Sequence, residues 1–416
     1  MDCRGGEFVG ASERRGTSNP PLNAAVDVRS MRLTEIGDAT PLEVLDACLS
    51  KLDEAQAHGA FVVVDEDGAR RAAEALPRQP LGPLHGIPVA VKDLIDVAGL
   101  PTALGRSKGR VAERDAAIVA RLRDQGAVIV GKTRTDELGL GALTPGASDP
   151  RDAGRSPGGS SGGSAIAVAT GAALLALATD TAGSARIPAA ACGVAGLCAA
   201  RDWMPTDGVS ILAPSFDRLG LIAATAQDLA IAWTAFGGTI GEPPERVTTL
   251  AEDQLGRVEP ERLEAARQAA HHLSPRPLEL TTPSLPQFGP PRATVITAEA
   301  AARHHGETPA ARVQLKAGAA HTPEEVLTAR AELEALGKEL REAVGDGVLV
   351  TPTLPSAPPR WDELEDTDAQ LRATGRLTRL CGPVNSAHLV AVSTPQGVQL
   401  IARTMETALA AALRLP

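Results

Sequence analysis

The run Asp115-Ala116-Ala117-Ile118-Val119-Ala120-Arg121-Leu122-Arg123-Asp124-Gln125-Gly126-Ala127-Val128-Ile129-Val130 changes its period halfway along. Ile118, Val119 and Leu122 recur at the helical spacing of three and four, behind an aspartate that predicts an N-cap. Gly126 predicts the stop. Ala127 to Val130 is then short, apolar throughout and largely β-branched, the pattern of a strand buried on both faces. A helix, a glycine and a fully apolar strand in succession point to an α/β chain. The expected architecture is a large mixed, mostly parallel β-sheet covered by helices on both faces.

The same alternation extends in both directions. Thr40-Pro41-Leu42-Glu43 combines an N-cap threonine, a proline at the first helical position and a glutamate three residues after the cap. The helix it opens carries Val44, Leu45, Cys48 and Leu52 on one face. Phe61-Val62-Val63-Val64 and Ile87 to Val91 predict strands, the second ending at Lys92-Asp93, with a helix from Asp67 to Leu76 between them. Downstream, an apolar run covers Ala172 to Ala178 and Thr225 with Asp228 caps a helix. Thr294-Val295-Ile296 predicts a strand, Pro323 to Val344 a long helix, and Val348 to Val350 and Val398 to Ile401 two more strands. Residues 274–292, rich in Pro and Thr, predict an irregular loop inside one domain spanning 31–416. Residues 1–30 lack the apolar segment of ~7–15 residues that a secretory signal needs and read as a disordered extension.

Composition narrows the function. The 416 residues carry 41 Lys and Arg against 51 Asp and Glu, a formal charge of −10. That balance argues against a nucleic-acid partner, which demands phosphate neutralisation. Aromatics make up 2% of the chain and tyrosine is absent, so the core is aliphatic and base stacking is not its business. No apolar run approaches the ~18 residues of a membrane span, so no membrane partner is expected and the cytoplasm is the expected location. Cys3, Cys48, Cys192, Cys198 and Cys381 are scattered without a CxxC pair, which suits a reducing compartment and predicts no structural zinc.

Three features carry chemistry. Ser156-Pro157-Gly158-Gly159-Ser160-Ser161-Gly162-Gly163-Ser164 has the composition of a flexible linker, yet runs directly into Ala165-Ile166-Ala167-Val168-Ala169, an apolar helix that must be buried. The loop is therefore pinned inside the fold, where small residues let backbone approach backbone or substrate. Asp180-Thr181-Ala182-Gly183-Ser184 is a second small-residue loop, whose successive N–H groups can converge on an anion. Lys92 ends a strand that should be buried, a place from which lysine is normally excluded.

Together these stretches resemble the amidase signature family of serine amide hydrolases. The resemblance rests on Gly86-Ile87-Pro88-Val89-Ala90-Val91-Lys92-Asp93, on Pro157 to Ser164, and on Thr179-Asp180-Thr181-Ala182-Gly183-Ser184-Ala185-Arg186-Ile187-Pro188-Ala189-Ala190. Weaker similarity runs through Val130-Gly131-Lys132-Thr133, Val350-Thr351-Pro352-Thr353 and Gly397-Val398-Gln399-Leu400-Ile401. The resemblance implies Ser184 as nucleophile, Ser160 as a bridging serine on a cis peptide bond, and Lys92 as base. To accept a proton Lys92 must be neutral, so burial has to lower its pKa from about 10.4 toward ~7–8, a bias of roughly 3–4 kcal/mol. The N–H groups of Thr181, Ala182, Gly183 and Ser184 are implied as the oxyanion hole, each donor worth about 3–4 kcal/mol. Gly158 and Gly159 are expected to relieve crowding, and Asp180 and Arg186 to hold the nucleophile loop in shape. No metal or organic cofactor is implied. The partner expected is a small-molecule amide, and a homodimer is left open.

Rival motifs fail on context. Gly126 to Thr133 matches a Walker A loop in letters, but its middle is a β-branched strand and not an exposed phosphate loop. Gly159-Ser160-Ser161-Gly162-Gly163 matches a nucleophile elbow without the strand that must precede it. His271-His272 and His304-His305 lack ligand spacing, and His85 reads as structural. The chain also departs from the family pattern. Gly196-Leu197-Cys198-Ala199-Ala200 stands where relatives continue Gly-Leu-Lys-Pro-Thr, Ala182 replaces a commoner glycine, and the middle region is short. Three other readings follow: a glutamine-hydrolysing component of a tRNA-dependent amidotransferase, a hydrolase of allophanate or biuret type, and a non-catalytic family member acting as a binding protein.

Overall fold

In a computed structural model, residues 33, 36 and 39–416 are described; the expected extension over 1–30 lies outside them. The first capping box forms as read. Glu43 N donates to Thr40 Oγ1 at 3.3 Å and Thr40 N to Glu43 Oε2 at 2.8 Å, opening the helix Pro41–Leu49. Leu52 belongs to the next short helix, Leu52–Ala57. Thr225 and Asp228 build the same device at the head of Ala226–Ala235. Asp115 does not cap: Ala116 precedes the helix Ala117–Asp124, while the Asp115 carboxylate accepts from Ala98 N at 2.8 Å and from Arg123 Nε at 2.9 Å. The helix expected over Asp67 to Leu76 starts and ends one residue earlier. Asp65 accepts from Gly68 N at 3.0 Å, so the helix is Glu66–Ala75.

The strands among the described residues are β1 (Phe61–Val64), β2 (Pro88–Lys92), β3 (Pro101–Thr102), β4 (Arg110–Val111), β5 (Val128–Thr133), β6 (Leu175–Thr179), β7 (Ala195–Cys198), β8 (Leu219–Ala223), β9 (Val247–Leu250), β10 (Leu278–Leu280), β11 (Val348–Pro352), β12 (Val390–Ser393) and β13 (Val398–Ala402). β3 and β4 pair by themselves; the other 11 form one sheet in the order β1-β5-β2-β6-β8-β7-β12-β13-β11-β9-β10. The sheet is mixed, as expected, but not mostly parallel. Six neighbour pairs are antiparallel (β1/β5, β6/β8, β7/β8, β7/β12, β12/β13, β11/β13) against four parallel. An unbroken apolar strand reports burial on both faces and says nothing of direction, which the connections decide. The four-residue link between β12 and β13, residues 394–397, permits only an antiparallel neighbour.

Alternation along the strands sorts the two faces. Val89 and Val91 of β2 and Leu175 and Leu177 of β6 pack into one cluster with Ile118, Val119 and Leu122, Trp233, and the C-terminal helix Met405–Ala412. Ala90, Ala176 and Ala178 point to the other face, against Ala165, Ile166 and Ala167 of the helix Gly162–Ala169 and Ala189 of Arg186–Cys192. That second face is lined by alanine, so these two short helices lie close on the sheet and carry the loops before them onto the ends of β2 and β6. Leu349 of β11, Ala391 of β12 and Ile401 of β13 pack a further cluster with Leu333 and Leu340 of the long helix Pro323–Val344.

Thr294-Val295-Ile296 is helical, within Gly289–Ala301, and not a strand. Its β-branched residues favour a strand locally, but Val295 and Ile296 bury one helical face against the neighbouring helices, and tertiary packing overrides propensity. Residues 274–292 are likewise less irregular than expected: they contain β10, a 3-10 turn at Leu285–Phe288 and the start of that helix. Among the described residues no helix is long and apolar enough to cross a membrane.

Candidate active site

Lys92 closes β2 and is fully buried. Its Nζ donates to Ser160 Oγ and to Thr179 Oγ1, each at 2.8 Å. Burial pushes the lysine down to about 7, against the opposing pull of Asp136, Asp180 and Asp217, none of which forms an ion pair with it. An amine poised there exchanges a proton near neutrality. The strand positions it by pleat: Val89 and Val91 face one apolar cluster, and the chain then leaves the sheet at Asp93. Asp93 turns instead to Lys132, the lysine of the rejected phosphate motif, in a buried pair at 3.0 Å. Lys132 lies inside β5 and also donates to Thr102 Oγ1 at 3.0 Å and to the Pro101 carbonyl at 3.1 Å.

The glycine–serine loop is buried along its length and tied at each step. Ser156 Oγ donates to the Leu143 carbonyl at 2.7 Å and accepts from Gly158 N at 3.1 Å. Gly162 N donates to Thr144 Oγ1 at 3.1 Å, and Ser164 Oγ lies 2.7 Å from Thr133 Oγ1. The Gly159–Ser160 peptide bond is cis. A Cβ on Gly159 would stand 2.4 Å from Asp136 Oδ2 and 2.6 Å from Leu143 N, so glycine is required there. The Ser160 carbonyl accepts from Asp136 N at 3.3 Å and from Thr144 Oγ1 at 3.3 Å.

The second loop is folded around one carboxylate. Asp180 accepts from Gly183 N at 2.8 Å, Ala185 N at 3.2 Å, Arg186 Nε at 3.0 Å and Arg186 Nη2 at 2.8 Å. Burial alone would raise this acid, but the Arg186 guanidinium, Asn385 and Gly183 N hold it at about 2. Arg186 in turn donates to Asn385 Oδ1 at 2.7 Å, the Cys381 carbonyl at 3.2 Å and Gln399 Oε1. Through these bonds Asp180 and Arg186 tie the loop to the strands and helices around it.

Ser184, 6% exposed, is joined to the first loop through the backbone, its carbonyl accepting from Ser161 N at 3.1 Å. Its Oγ makes no hydrogen bond among the described residues, so the expected relay contact with Ser160, whose Oγ accepts from Lys92, is not formed here. The N–H groups of Thr181, Ala182 and Ser184 are likewise without an acceptor among the described residues. Gly183 N is not free, being held by Asp180 Oδ1. Gly183 therefore leaves the expected donor set; it serves through its φ of +116° and because a Cβ there would lie 2.4 Å from Cys381 Cβ.

Several participants escaped the sequence reading. Thr179 adjoins Asp180 in the quoted motif, and nothing in its position predicts that it shares Lys92 with Ser160. Asp217 accepts from Thr181 Oγ1 at 2.7 Å and from Leu212 N at 2.7 Å, bracing the loop from another segment. Asn385 and Gln399 are uncharged and distant in the chain; a glutamine inside the apolar run Val398 to Ile401 was their one signal. Cys198, at the departure from the family pattern, accepts from Asn385 Nδ2 at 3.6 Å, its thiol pushed up to about 12 by burial. A cleft lined by Leu94, Leu138, Gly139, Thr179, Thr181 and Asp217 lies beside the lysine–serine pair, and a Cβ on Gly139 would be 3.5 Å from Ser160 Oγ. Among the described residues no group of three or more His, Cys, Asp and Glu side chains comes together to hold a metal.

The family model described as Amidase matches residues 43–288. The chain is 37% identical to an amidase of Pseudomonas putida over 76% of its own length and 77% of that protein. It is 39% identical to a glutamyl-tRNA(Gln) amidotransferase component of Rhodopirellula baltica, over 52% of this chain and 46% of the relative. The match to such amidotransferase proteins thus spans about half their length. A crystal structure of an amidase superposes with a TM-score of 0.80 at 30% identity, covering 92% of this chain and 98% of that one. A buried lysine–serine pair, a braced serine loop and these likenesses over most of the chain agree: the protein belongs to the amidase family.

Proposed function

We propose that the chain hydrolyses the C–N bond of a small carboxamide through an acyl-enzyme on Ser184, with Ser160 as relay and Lys92 as base. The observation that supports this most is the Lys92 Nζ–Ser160 Oγ contact of 2.8 Å around a fully buried amine held at about 7. Neutral Lys92 takes the Ser160 proton while Ser160 takes that of Ser184. The freed Ser184 Oγ adds to the amide carbonyl carbon, and the carbonyl oxygen, now anionic, is met by the N–H groups of Thr181, Ala182 and Ser184. Collapse of the tetrahedral species breaks the C–N bond. The proton returns from Lys92 through Ser160 to the nitrogen, which leaves as ammonia or an amine. Water then gives a proton into the same relay and attacks the ester, and reversal frees the acid and restores Ser184.

Thr179 completes the amine's surroundings by accepting its second hydrogen bond, which aims Nζ at Ser160. The assay is turnover of primary amides by the purified chain, with Ser184→Ala and Lys92→Ala as controls. Loss of acyl adduct on Ser184 in both variants is expected, and undiminished hydrolysis in either rejects the reading. The identity to amidotransferase components favours a second reading, in which ammonia from glutamine passes to a partner. Turnover without any added partner protein separates the two. A serine-directed fluorophosphonate that leaves Ser184 unlabelled would favour the non-catalytic reading.

A further inference from the structure

Glu299 stands on the last turn of the helix Gly289–Ala301 and is 8% exposed. A carboxylate so enclosed needs donors around it, and two residues supply them. Ser215 N donates to Oε2 at 3.0 Å, Ser215 Oγ donates to Oε1, and Nη2 of the half-exposed Arg330 pairs with Oε1. Arg330 belongs to the long helix Pro323–Val344, and its Nη1 also donates to Ser215 Oγ at 2.8 Å. Two helices thus converge on one serine of a loop. Just past the first of them, His304 reaches the same loop, its Nε2 lying 2.7 Å from the Ile211 carbonyl.

That loop is a closed turn. Phe216 N and Asp217 N both donate to the Ala213 carbonyl at 2.9 Å. Asp217 Oδ2 accepts in return from Leu212 N at 2.7 Å and from Ala213 N at 3.0 Å. The other carboxylate oxygen, Oδ1, accepts from Thr181 Oγ1 at 2.7 Å. Burial pushes the Asp217 carboxyl up to about 6 and the Glu299 charge adds to that push, while the bonds from Thr181, Ala213 and Leu212 oppose it. Val209, Ser210, Ile211, Leu212 and Asp217 also form one wall of the cleft beside the lysine–serine pair. A turn closed by four internal bonds moves as a unit, so fixing Ser215 fixes Asp217 and, with it, Thr181.

We propose that Glu299 is a positioning residue for the amide reaction, holding Ser215 so that Asp217 sets Thr181 and the oxyanion donors beside it. This rests on the hydrolytic reading above and adds to it a residue outside the site that aims the nucleophile loop. Glu299 makes no hydrogen bond to Lys92, Ser160 or Ser184 among the described residues. Its chain of contacts, through Ser215 and Asp217 to Thr181, ends on a donor that matters most when charge develops on the carbonyl oxygen. Loss of Glu299 therefore lowers kcat and leaves KM for a small amide in place.

The test is a double-mutant cycle in kcat on one primary amide, each protein assayed well below its unfolding midpoint. Glu299→Ala is expected to lower kcat about tenfold with KM within about twofold, since a displaced donor costs less than the roughly 10²–10³ of a removed one. Glu299→Gln keeps an acceptor for Ser215 N and should bring kcat back to within about threefold of wild type. Thr181→Val keeps its N–H but cuts the link to Asp217; it should itself lose about tenfold, and adding Glu299→Ala should cost less than about twofold more. Contacts that only stabilise the fold would give independent losses multiplying to about 100-fold. If Glu299→Ala does not fold, Ser215→Ala enters the same cycle, with a loss of about threefold expected that vanishes beside Thr181→Val. Independent losses, a rise in KM alone, no loss, or a glutamine no better than alanine overturns the proposal. A second readout needs no turnover: amide hydrogen exchange across Thr181 to Ser184 should quicken in Glu299→Ala and stay near wild type in Glu299→Gln. Unchanged exchange in Glu299→Ala also overturns the proposal. Quickened exchange in a chain whose wild type hydrolyses no amide would sustain the positioning of the loop and overturn the hydrolytic reading instead.

Discussion

Lys92→Met removes the base and, by the same physics, should stabilise the fold. The distance between the ordinary 10.5 and about 7 corresponds to about 5 kcal/mol by which the folded chain disfavours the ammonium. Methionine fills a similar volume without a charge to desolvate. It gives up hydrogen bonds to Ser160 and Thr179, worth about 1 kcal/mol each. A net gain of about 2–3 kcal/mol at pH 7 follows. Its pH dependence is the sharper test. Between about 7 and 10.5 the unfolded chain keeps a proton on this lysine that the folded chain has released, so wild-type stability rises with pH across that window. The variant lacks this term, and its advantage should therefore be greatest at pH 7 and below and shrink as pH approaches 10.5. Denaturant unfolding of both proteins at intervals from pH 6 to 10 reads this directly, while amide hydrolysis should fall by about 10²–10⁴. A variant less stable than wild type at pH 7, or an advantage that does not change from pH 7 to 10, would refute the reasoning.

The amidase activity should itself rise with pH through about 7 and then level, because only neutral Lys92 accepts a proton; a kcat/KM profile on one primary amide measures this. Thr179→Val removes an acceptor that favours the charged amine, so the apparent pKa in that profile should move down and kcat should drop about tenfold. Asp180→Asn strands the buried Arg186 and should destabilise the chain by about 3–5 kcal/mol in denaturant unfolding. Asp180 falls from 3.8 to about 2 on folding, so its share of stability, about 2 kcal/mol, is present above pH 4 and lost as pH falls toward 2, visible as acid unfolding. Gly159→Ala meets Asp136 and Leu143 N within 2.6 Å and should cost about 1–3 kcal/mol or more, together with activity.

Local chemistry was legible wherever it acts over a few residues. The Thr40 and Thr225 capping boxes close across three positions, so their letters are enough. The glycine–serine loop announced its burial by running into an apolar helix, and Lys92 by ending an apolar strand. Thr294-Val295-Ile296 misled because β-branching states a preference that a packed helical face outweighs. Asp115 misled because a carboxylate at a helix start can serve a neighbouring loop instead.

The amino-acid order by itself determined which side chains can do chemistry here and on which loops they sit, since motif spacing and apolar period are properties of neighbours along the chain. Only the tertiary structure decided what those groups experience. Strand direction came from the connections and not from the apolar runs. The partners Thr179, Asp217, Asn385 and Gln399 came from segments brought together by the sheet, and the enclosure of Lys92 came from the elements packed around it. Desolvation and hydrogen bonding depend on distances through space, and a linear sequence does not contain those until it has folded.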